Sequence, residues 1–461
     1  MKKMYLLSVL ATILIAVLAF SITSCKSNKT EEGCNYKTNV KHLDYSKNAV
    51  IYEVNIRQFT EEGTFKAFTD HIPRLKELGI DILWIMPVHP IGEIERKGSL
   101  GSYYSVKDYC AVNPEFGTME DFKQMVKVAH DNGMHLIIDW VANHTARDSK
   151  WFEEHPDWFV YAEDGSALGP FDWTDVSQLD YTKTEMRDEM IRSMKFWIEE
   201  ADIDGFRCDV AGMVPVDFWD KARKELDAVK PVFMLAEAEQ ADLTVNAFDM
   251  DYAWEFHSIM NKIAKGEMSA KDIDSYLTKI DTIYPCGVYK MNFITNHDEN
   301  SWNGTEFERM GDGALTFATL CTTFPGMPLI YTGQEIGMNK RFDFFEKDHV
   351  EDWNANSEYV AFYKKLNELR HNNPALWSGC FGGKLQKLTT TDDNAIFAFG
   401  REKDDNKVVA IFNLTANKVS FEVEMENFAG TYTEYFDNIE VPLTGKFTID
   451  LDPWDYLVFI K

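Results

Sequence analysis

The chain has 461 residues, 45% of them hydrophobic and 14% aromatic, and its formal net charge is −28. This length suggests two or three domains around a large core, and aromatic rings suit stacking on the flat faces of sugars. The acidic balance, with no run of Lys and Arg beyond the extreme N-terminus, argues against a nucleic-acid partner and favours a neutral substrate or a cation.

The first 24 residues have the pattern of an export signal. Lys2 and Lys3 precede an apolar stretch over residues 5–20, and small residues lead to Cys25. An uncleaved anchor is the alternative, but about 16 apolar residues is short for a span that needs roughly 20. The ending resembles a bacterial lipoprotein signal. That resemblance implies lipid on Cys25, a tether over residues 25–40 and an exported protein anchored to a membrane.

From residue 41 the chain alternates short apolar runs with amphipathic stretches. The strand candidates are residues 49–55, 82–88, 135–141, 205–210, 232–238, 289–298 and 328–335. The helix candidates are residues 64–78, 118–132, 185–201, 215–229 and 314–323. Strands that are apolar on both faces and separated by helices form a parallel sheet. We expect an α/β fold, a closed (β/α)8 TIM barrel over residues 41–378.

Two segments depart from this alternation. Residues 144–181 are rich in Trp, Asp, Gly and Pro without a clear period, which predicts a short inserted domain, here called domain B. Residues 379–461 alternate apolar and polar positions, which predicts a C-terminal antiparallel β-sandwich.

Four predicted strands end in polar residues. These ends are residues 139–144, 205–209, 235–237 and 293–298. Charged groups directly after apolar runs are costly unless paired, and active sites of parallel barrels lie at the carboxyl ends of the strands. The pattern therefore predicts one cluster of functional side chains.

Alternation along a strand places Arg207 and Asp209 on one face and Phe206 and Cys208 on the other. The apolar pair suits packing against helices, and the charged pair suits the barrel mouth. We expect Arg207 to hold Asp209 ionised. The alternative is a buried ion pair that only stabilises the barrel.

In order and spacing, the four strand ends resemble the signature regions of the α-amylase family, glycoside hydrolase family 13, over residues 50–336. The resemblance implies that Asp209 is the nucleophile, Glu237 the general acid and base, and Asp298 a ligand of sugar hydroxyls. It also implies sugar contacts from Tyr104, in a fifth similar segment, and from His144, Arg207 and His297.

Two departures from the family pattern bear on specificity and metals. Gly212 and Met213 stand where many members carry Lys-His on the leaving-group side, so the leaving-group contacts must differ. Gln178 stands where calcium-binding members have Asp, while Asn143 keeps the other calcium position. The resemblance thus implies no required cofactor or metal and leaves calcium open near Asn143.

The sequence predicts a retaining glycoside hydrolase that cleaves α-glucosidic bonds, mainly α-1,4, in starch, maltodextrin or related α-glucans. A transglycosylase or isomerase of the same fold is the nearest alternative, because it uses the same intermediate. A non-catalytic glycan-binding surface protein would not need all three carboxylates. A nucleotide enzyme is disfavoured because no P-loop or GxGxxG follows a strand. The oligomeric state is not predicted.

Overall fold

Eight parallel strands form a closed barrel in the computed structural model, which describes residues 36–354 and 356–461. The strands are β1 Ile51–Val54, β2 Ile82–Ile85, β3 His135–Val141, β4 Gly205–Asp209, β5 Phe233–Ala236, β6 Met250–Tyr252, β7 Tyr289–Asn292 and β8 Met327–Tyr331. Each strand pairs with its neighbours in chain order, and β8 closes on β1 with Leu329 opposite Ile51. The predicted (β/α)8 barrel is confirmed.

The predicted export signal, Cys25 and the first part of the predicted tether lie outside the described residues. Within residues 36–354 and 356–461, no helix combines the length and the apolar character that a membrane crossing requires.

The barrel strands are apolar on both faces because each separates two cores. Trp84, Leu235 and Met291 belong to the cluster that fills the barrel interior. Phe206 and Cys208 are buried in the larger cluster between strands and helices. This is the arrangement expected of a parallel sheet covered by helices, and it confirms the predicted orientation of the two apolar residues of β4.

The α-helices lie mainly between successive strands. They are α1 Ile56–Phe59, α2 Phe65–Thr69, α3 Ile72–Leu78, α4 Met119–Asp131, α5 Lys150–Glu154, α6 Thr184–Ala201, α7 Val216–Asp227, α8 Leu243–Asn246, α9 Trp254–Ala264, α10 Ile273–Ile283, α11 Glu306–Met310, α12 Ala314–Thr323 and α13 Ser357–Asn372. Thr118 caps α4 in a reciprocal capping box with Asp121. Gly79 ends α3 with φ of 92°, a left-handed conformation that glycine adopts at little cost.

The single helix predicted over residues 64–78 is wrong, because α2 and α3 are separate. The break falls at Asp70 and His71, and Pro73 lies in the first turn of α3. Proline is tolerated there because the first helical N–H groups have no partner inside the helix.

The segment predicted as domain B contains α5 and a two-stranded antiparallel sheet. Its strands are His144–Ala146 and Val176–Gln178, paired with His144 opposite Gln178. The first of these strands begins three residues after β3 ends, so the segment rises directly from the carboxyl end of the barrel.

The C-terminal region consists of two antiparallel sheets, as predicted. Its strands are β9 Leu385–Lys387, β10 Thr389–Thr390, β11 Ile396–Lys403, β12 Asn406–Asn413, β13 Val419–Glu424, β14 Gly430–Glu434, β15 Ile439–Leu443, β16 Lys446–Leu451 and β17 Tyr456–Ile460. The six-stranded sheet has the order β9-β11-β12-β17-β14-β15, and the three-stranded sheet has the order β10-β13-β16. Ala398 and Val409 from the first sheet share one core with Phe421 and Val423 from the second.

Candidate active site

The three predicted carboxylates meet at the carboxyl end of the barrel. Asp209 is the last residue of β4, Glu237 follows β5, and Asp298 precedes a π-helical turn after β7. All three line one cavity of about 520 Å³. Cavities of roughly 300–1,000 Å³ are typical of small-ligand sites. The predicted residues Tyr104, His144 and His297 line the same cavity.

Arg207 lies fully buried against this cavity and contacts three carboxylates. Its Nη1 donates to Asp139 Oδ1 at 2.9 Å and to Asp209 Oδ1 at 3.2 Å. Its Nη2 forms an ion pair with Glu237 Oε2 at 2.9 Å, and its Nε donates to the Tyr252 hydroxyl at 3.1 Å. The contact expected between Arg207 and Asp209 is present, and the same guanidinium also joins Asp209 to Glu237.

Burial and neighbouring charges shift the pKa values of the carboxyl groups around Arg207. Burial, followed by the charge of Glu237, holds the pKa of Asp209 well above its usual range, although the Arg207 charge lowers it. Burial also raises the pKa of Asp139 to about 6 against the opposing charge of Arg207. Neighbouring carboxylates influence one another, because ionising one disfavours ionising the next. The raised pKa of Asp209 departs from the expectation that Arg207 holds this carboxyl ionised.

The two oxygens of Asp209 have different surroundings. Oδ1 accepts the Arg207 hydrogen bond, whereas Oδ2 is buried and accepts no hydrogen bond from any residue described. The Nε2 of His144 lies 3.9 Å from Oδ2. Asp209 therefore presents one oxygen that its protein neighbours leave uncommitted.

Val210 orients Glu237 through a strained backbone. Its φ and ψ are 36° and 44°, in the left-handed region that a β-branched residue rarely adopts. The Val210 N–H donates to Glu237 Oε2 at 2.7 Å. Strain of this kind costs roughly 1–3 kcal/mol and persists where the surrounding structure enforces it. The residue after the predicted nucleophile thus fixes the predicted acid.

His297 lies between two acidic groups. Its Nδ1 contacts Glu53 Oε1, and its Nε2 lies 3.5 Å from Asp298 Oδ2. Burial lowers the pKa of His297, but the charges of Asp298 and Glu53 outweigh burial and raise it to about 9. As an imidazolium, His297 donates from Nε2 to the Tyr104 hydroxyl oxygen at 2.8 Å, and that hydroxyl donates to Asp139 at 3.1 Å.

The pKa of His144 shifts in the opposite direction from that of His297. Burial lowers the pKa of His144 to about 3, so its imidazole is neutral near pH 7. The Asn143 side-chain nitrogen lies 3.3 Å from His144 Nδ1, which leaves Nε2 facing the Asp209 carboxylate. A neutral imidazole in this position can donate one hydrogen bond to a bound hydroxyl.

Sequence reasoning missed two groups of site residues. Beneath the cavity are Glu53, Trp84 and Tyr252; along its walls are Trp173, Trp302, Phe344 and Phe345. Asp139 belongs to the predicted strand end 139–144, but no separate role was predicted for it. Glu53 carried a usable signal, because it is a charged residue inside the apolar run of β1. The wall aromatics carried none, because they lie in irregular segments without periodicity.

The surroundings of Asn143 do not provide a calcium site by themselves. The Asn143 backbone carbonyl accepts from Leu179 N–H at 3.1 Å, and its side chain contacts His144. Calcium takes six to eight oxygen ligands, carboxylates among them. The part of the chain that the structure describes contains no cluster of three or more His, Cys, Asp or Glu side chains suited to a metal. Calcium thus gains no support beyond the resemblance.

The strand ends of this (β/α)8 barrel bring two carboxylates into contact with one guanidinium, in a cavity lined by aromatic rings. These are the features of a glycoside hydrolase. The sequence model of the alpha amylase catalytic domain matches residues 27–175 and 168–377, and that of the maltogenic amylase C-terminal domain matches residues 387–458. The chain belongs to the α-amylase family.

Similar proteins include two curated amylases. The alpha-amylase MalA of Haloarcula japonica is 26% identical over 387 residues, which cover 80% of this chain and 56% of that protein. The maltogenic alpha-amylase of Bacillus acidopullulyticus is 27% identical over 429 residues, covering 86% of this chain and 70% of that protein. This chain thus spans little more than half the length of the Haloarcula relative.

Two solved structures are similar over 90% of this chain and 99% of their own lengths. The maltogenic alpha-amylase AmyB of Thermotoga neapolitana superposes with a TM-score of 0.83 at 28% identity. An alpha-amylase of Lactobacillus plantarum superposes with a TM-score of 0.81 at 31% identity. The similarity therefore extends beyond the barrel into the C-terminal sheets.

Proposed function

We propose that this chain is a retaining glycoside hydrolase that cleaves α-glucosidic bonds, mainly α-1,4, in starch, maltodextrins or related α-glucans. The observation that carries the proposal is the joining of Asp209 and Glu237 by the single guanidinium of Arg207. The names of the relatives support the substrate class, since they include a maltogenic alpha-amylase and a cyclomaltodextrinase.

In the first step, Asp209 Oδ2 attacks the anomeric carbon while Glu237 gives its proton to the departing glycosidic oxygen. The carbon–oxygen bond to the leaving sugar breaks, and a covalent glycosyl ester forms on Asp209. In the second step, Glu237 accepts a proton from water, whose oxygen attacks the same carbon and releases Asp209. Two inversions at one carbon return the original α configuration. The cycle starts from an ionised Asp209 and a protonated Glu237, so Asp209 must lose its proton against a raised pKa before it attacks.

The remaining site residues act on the sugar at the cleavage point. Asp298 and the imidazolium of His297 bind its hydroxyls, and neutral His144 donates from the opposite wall. The ring of Tyr104 stacks on the sugar face. Carboxylates fixed in a water-poor site stabilise positive charge that develops on the sugar, because little reorganisation is needed during the reaction.

The test is a pair of variants with two readouts. Asp209→Asn keeps the size of the side chain and removes the nucleophile, so turnover of maltooligosaccharides falls by at least about 10⁴-fold, while the thermal unfolding midpoint changes little. Asp172→Asn, a second carboxylate of the cavity wall, is the matched control and retains most activity. In the wild type, NMR of fresh product detects the α anomer first. Retained activity in Asp209→Asn, or a β anomer as first product, would contradict the mechanism.

A transglycosylase of the same fold is the second candidate. One relative, a maltose-1-phosphate maltosyltransferase of Picrophilus torridus, is 25% identical over 413 residues, which cover 81% of this chain and 63% of that protein. Hydrolase and transferase share the glycosyl ester and differ only in whether water or a sugar attacks it. Products longer than the substrate in a maltotriose digest would favour the transferase.

We also propose that the protein is an exported lipoprotein anchored to a membrane through Cys25. The support is the sequence pattern of residues 2–25. More than one acyl chain on the N-terminal residue gives stable anchoring, whereas a single chain binds reversibly. In a bacterial host, the wild type should incorporate labelled fatty acid and fractionate with membranes, and Cys25→Ser should do neither. Equal labelling of the two proteins would overturn this proposal.

A further inference from the structure

Residues 96–101, here called the rim segment, connect the two walls of the cavity. We propose that the rim segment closes the end of the cavity that receives the non-reducing end of a glucan, so that the enzyme releases short products from chain ends. This inference rests on the proposed function and adds the mode of attack on the substrate. It depends on contacts that the rim segment makes with both walls and with the barrel below.

The first contacts join the rim segment to the loop that follows β8. Ser99 N–H donates to Glu346 Oε1 at 2.8 Å, and Leu100 N–H donates to the Phe345 carbonyl at 3.1 Å. Gly98 has φ of 62° and packs so closely that a Cβ there would lie 2.5 Å from Phe345 Cβ. Phe345 itself lines the cavity. The rim segment is therefore pressed against this wall without space between them.

The second contacts join the rim segment to domain B. Lys97 Nζ lies 3.4 Å from Asp175 Oδ1, and both side chains line the cavity. The Ser105 hydroxyl, from the continuation of the same loop, donates to the Asp175 carbonyl at 3.0 Å. A Cβ on Gly92, at the start of the loop, would lie 2.5 Å from Ala146 Cβ. The loop is thus attached to domain B at three points.

The third contacts hold the rim segment from below. Arg57 is buried and donates from Nη1 to the Gly101 carbonyl at 3.1 Å and from Nη2 to the Leu100 carbonyl at 3.2 Å. Its guanidinium lies 4.2 Å from the centre of the Tyr103 ring. Glu115 Oε2 lies 3.7 Å from the same guanidinium. Hydrogen bonds from this buried charge hold the two carbonyls in place, because releasing them would cost the charge two of its acceptors. The rim segment is a fixed part of the wall.

The position of Tyr104 identifies which end is closed. Tyr104 belongs to the same loop as the rim segment and is the ring that stacks on the sugar attacked by Asp209. The Tyr104 ring lies 6.3 Å from Phe344, which precedes the Phe345 wall residue. The attacked sugar carries the rest of its glycone towards the non-reducing end. We place the wall built from Tyr104, Phe344 and the rim segment on the glycone side, because in the proposed function Tyr104 stacks on the attacked sugar.

A cavity of about 520 Å³ with this end closed has room for few sugar rings beyond the cleavage point. A chain can then enter only with its non-reducing end first, and the number of sugars released equals the number that fit before the rim segment. Internal bonds of long chains are excluded, because the glycone would have to pass through the rim segment.

The experiment compares maltoheptaose with maltoheptaose blocked at its non-reducing end by an acetal. In the wild type, the blocked substrate should react at least about tenfold more slowly, the discrimination of a pocket that rejects an extra group. In the double variant Lys97→Ala/Glu346→Ala, which removes one contact to each wall, the ratio of the two rates should approach one. The matched control is Lys195→Ala/Glu225→Ala, which breaks an ion pair between α6 and α7 in which Lys195 Nζ lies 2.6 Å from Glu225 Oε2. This control should keep the wild-type ratio of the two rates.

Digestion of amylose gives a second measure. The wild type should release reducing sugar while the iodine staining of amylose falls little at first. When the two proteins have released equal amounts of reducing sugar, the double variant should have lost several-fold more staining. Equal rates on blocked and unblocked maltoheptaose in the wild type would overturn the inference, whether or not the double variant folds. Failure of the wild type to hydrolyse either heptaose or a chromogenic maltoside would overturn the proposed function itself, which separates the two results.

Discussion

Glu53 and His297, which are 244 positions apart in the chain, are in direct contact beneath the cavity, and both are buried. Glu53 lies on β1, and His297 follows β7, two strands separated only by β8. Burial raises the pKa of Glu53, whereas the charge of His297 lowers it. Because the pKa of His297 rises to about 9 in the same contact, His297 is cationic near pH 7. This contact links the first strand to a residue that binds the sugar.

The contact predicts the alkaline limit of activity. His297 is cationic below its pKa of about 9, so kcat/KM should fall as the pH rises through that value. Glu53→Gln removes one of the charges that raise the pKa of His297, and the alkaline limb should move to lower pH by about one unit. The measurement is kcat/KM on a chromogenic maltoside from pH 5 to 10. Glu77→Gln, an exposed substitution on α3, is the control and should keep the wild-type limb.

A merely structural role for Glu53 would lower activity equally at all pH values. An unchanged alkaline limb in Glu53→Gln would therefore contradict the assignment of that limb to His297.

Arg207 should be indispensable to stability as well as to activity. Arg207→Met leaves Asp139, Asp209 and Glu237 without the guanidinium that they share, and breaking a buried pair in this way costs about 3–5 kcal/mol. The pKa values of Asp139 and Asp209 are already raised and would rise further. The loss should therefore be largest at pH 7 and shrink towards pH 5, as the carboxylates gain protons.

Guanidinium chloride unfolding at both pH values measures this effect. Arg192→Met, at a side chain that is 71% exposed, is the control and should change the free energy of unfolding by less than about 0.5 kcal/mol. A loss in Arg207→Met that is the same at pH 5 and pH 7 would argue against proton uptake by the carboxylates.

Gly205 should tolerate no side chain, because β5 passes too close. Its φ is 153°, and a Cβ there would lie 1.9 Å from the Phe233 carbonyl oxygen. Gly205→Ala should displace β4 against β5 and with it Arg207 and Asp209. Gly311→Ala isolates the backbone cost of roughly 1–2 kcal/mol, since it has positive φ but no atom within 4 Å of the added Cβ. Chemical unfolding should show a clearly larger loss for Gly205→Ala, and equal losses would refute the packing argument.

Trp302 should act on substrate binding and not on folding. Its side chain is 53% exposed, lines the cavity and lies 5.3 Å from Phe344 between ring centres. Trp302→Ala should lower kcat/KM about tenfold, equivalent to about 1.4 kcal/mol of sugar stacking, both on maltoheptaose and on a short maltoside, because both place the same sugars beside Phe344. Ile439→Ala, at a similarly exposed residue of β15, should leave both values unchanged. Unchanged kcat/KM on both substrates in Trp302→Ala would place Trp302 outside substrate binding.

The sequence allowed the barrel and the catalytic strand ends to be predicted because both depend on local patterns. β3 has an apolar run from Leu136 to Ile138 before the charged Asp139, and the polar Asn143 and His144 follow its end. The alternation of Arg207 with Cys208 fixes which side chains of β4 face the cavity. The strand β6 escaped prediction because it has three residues, one of them the buried Asp251. Strand β7 is shorter than predicted, since it ends at Asn292 and the next six residues, 293–298, lie outside the sheet.

The remainder of the site could not be predicted because it consists of pairings between distant segments. Glu53 and His297 meet only after eight strands have closed, and no local pattern encodes that closure. The rim segment is irregular, and its attachment to Asp175 and Glu346 depends on where two other loops fold. The Arg207 contact to Glu237 likewise crosses from β4 to the end of β5.

Three carboxyl groups share the Arg207 guanidinium, so acidic groups outnumber the cation at the floor of the cavity, which has a surplus of acidic character. Such a floor discriminates among ligands by charge as well as by shape. A sugar analogue with a protonated nitrogen at the anomeric position should bind far more tightly than glucose, because it meets that surplus before any reaction occurs. A neutral product experiences no comparable attraction, so the charge that promotes bond cleavage does not retain the sugar that results.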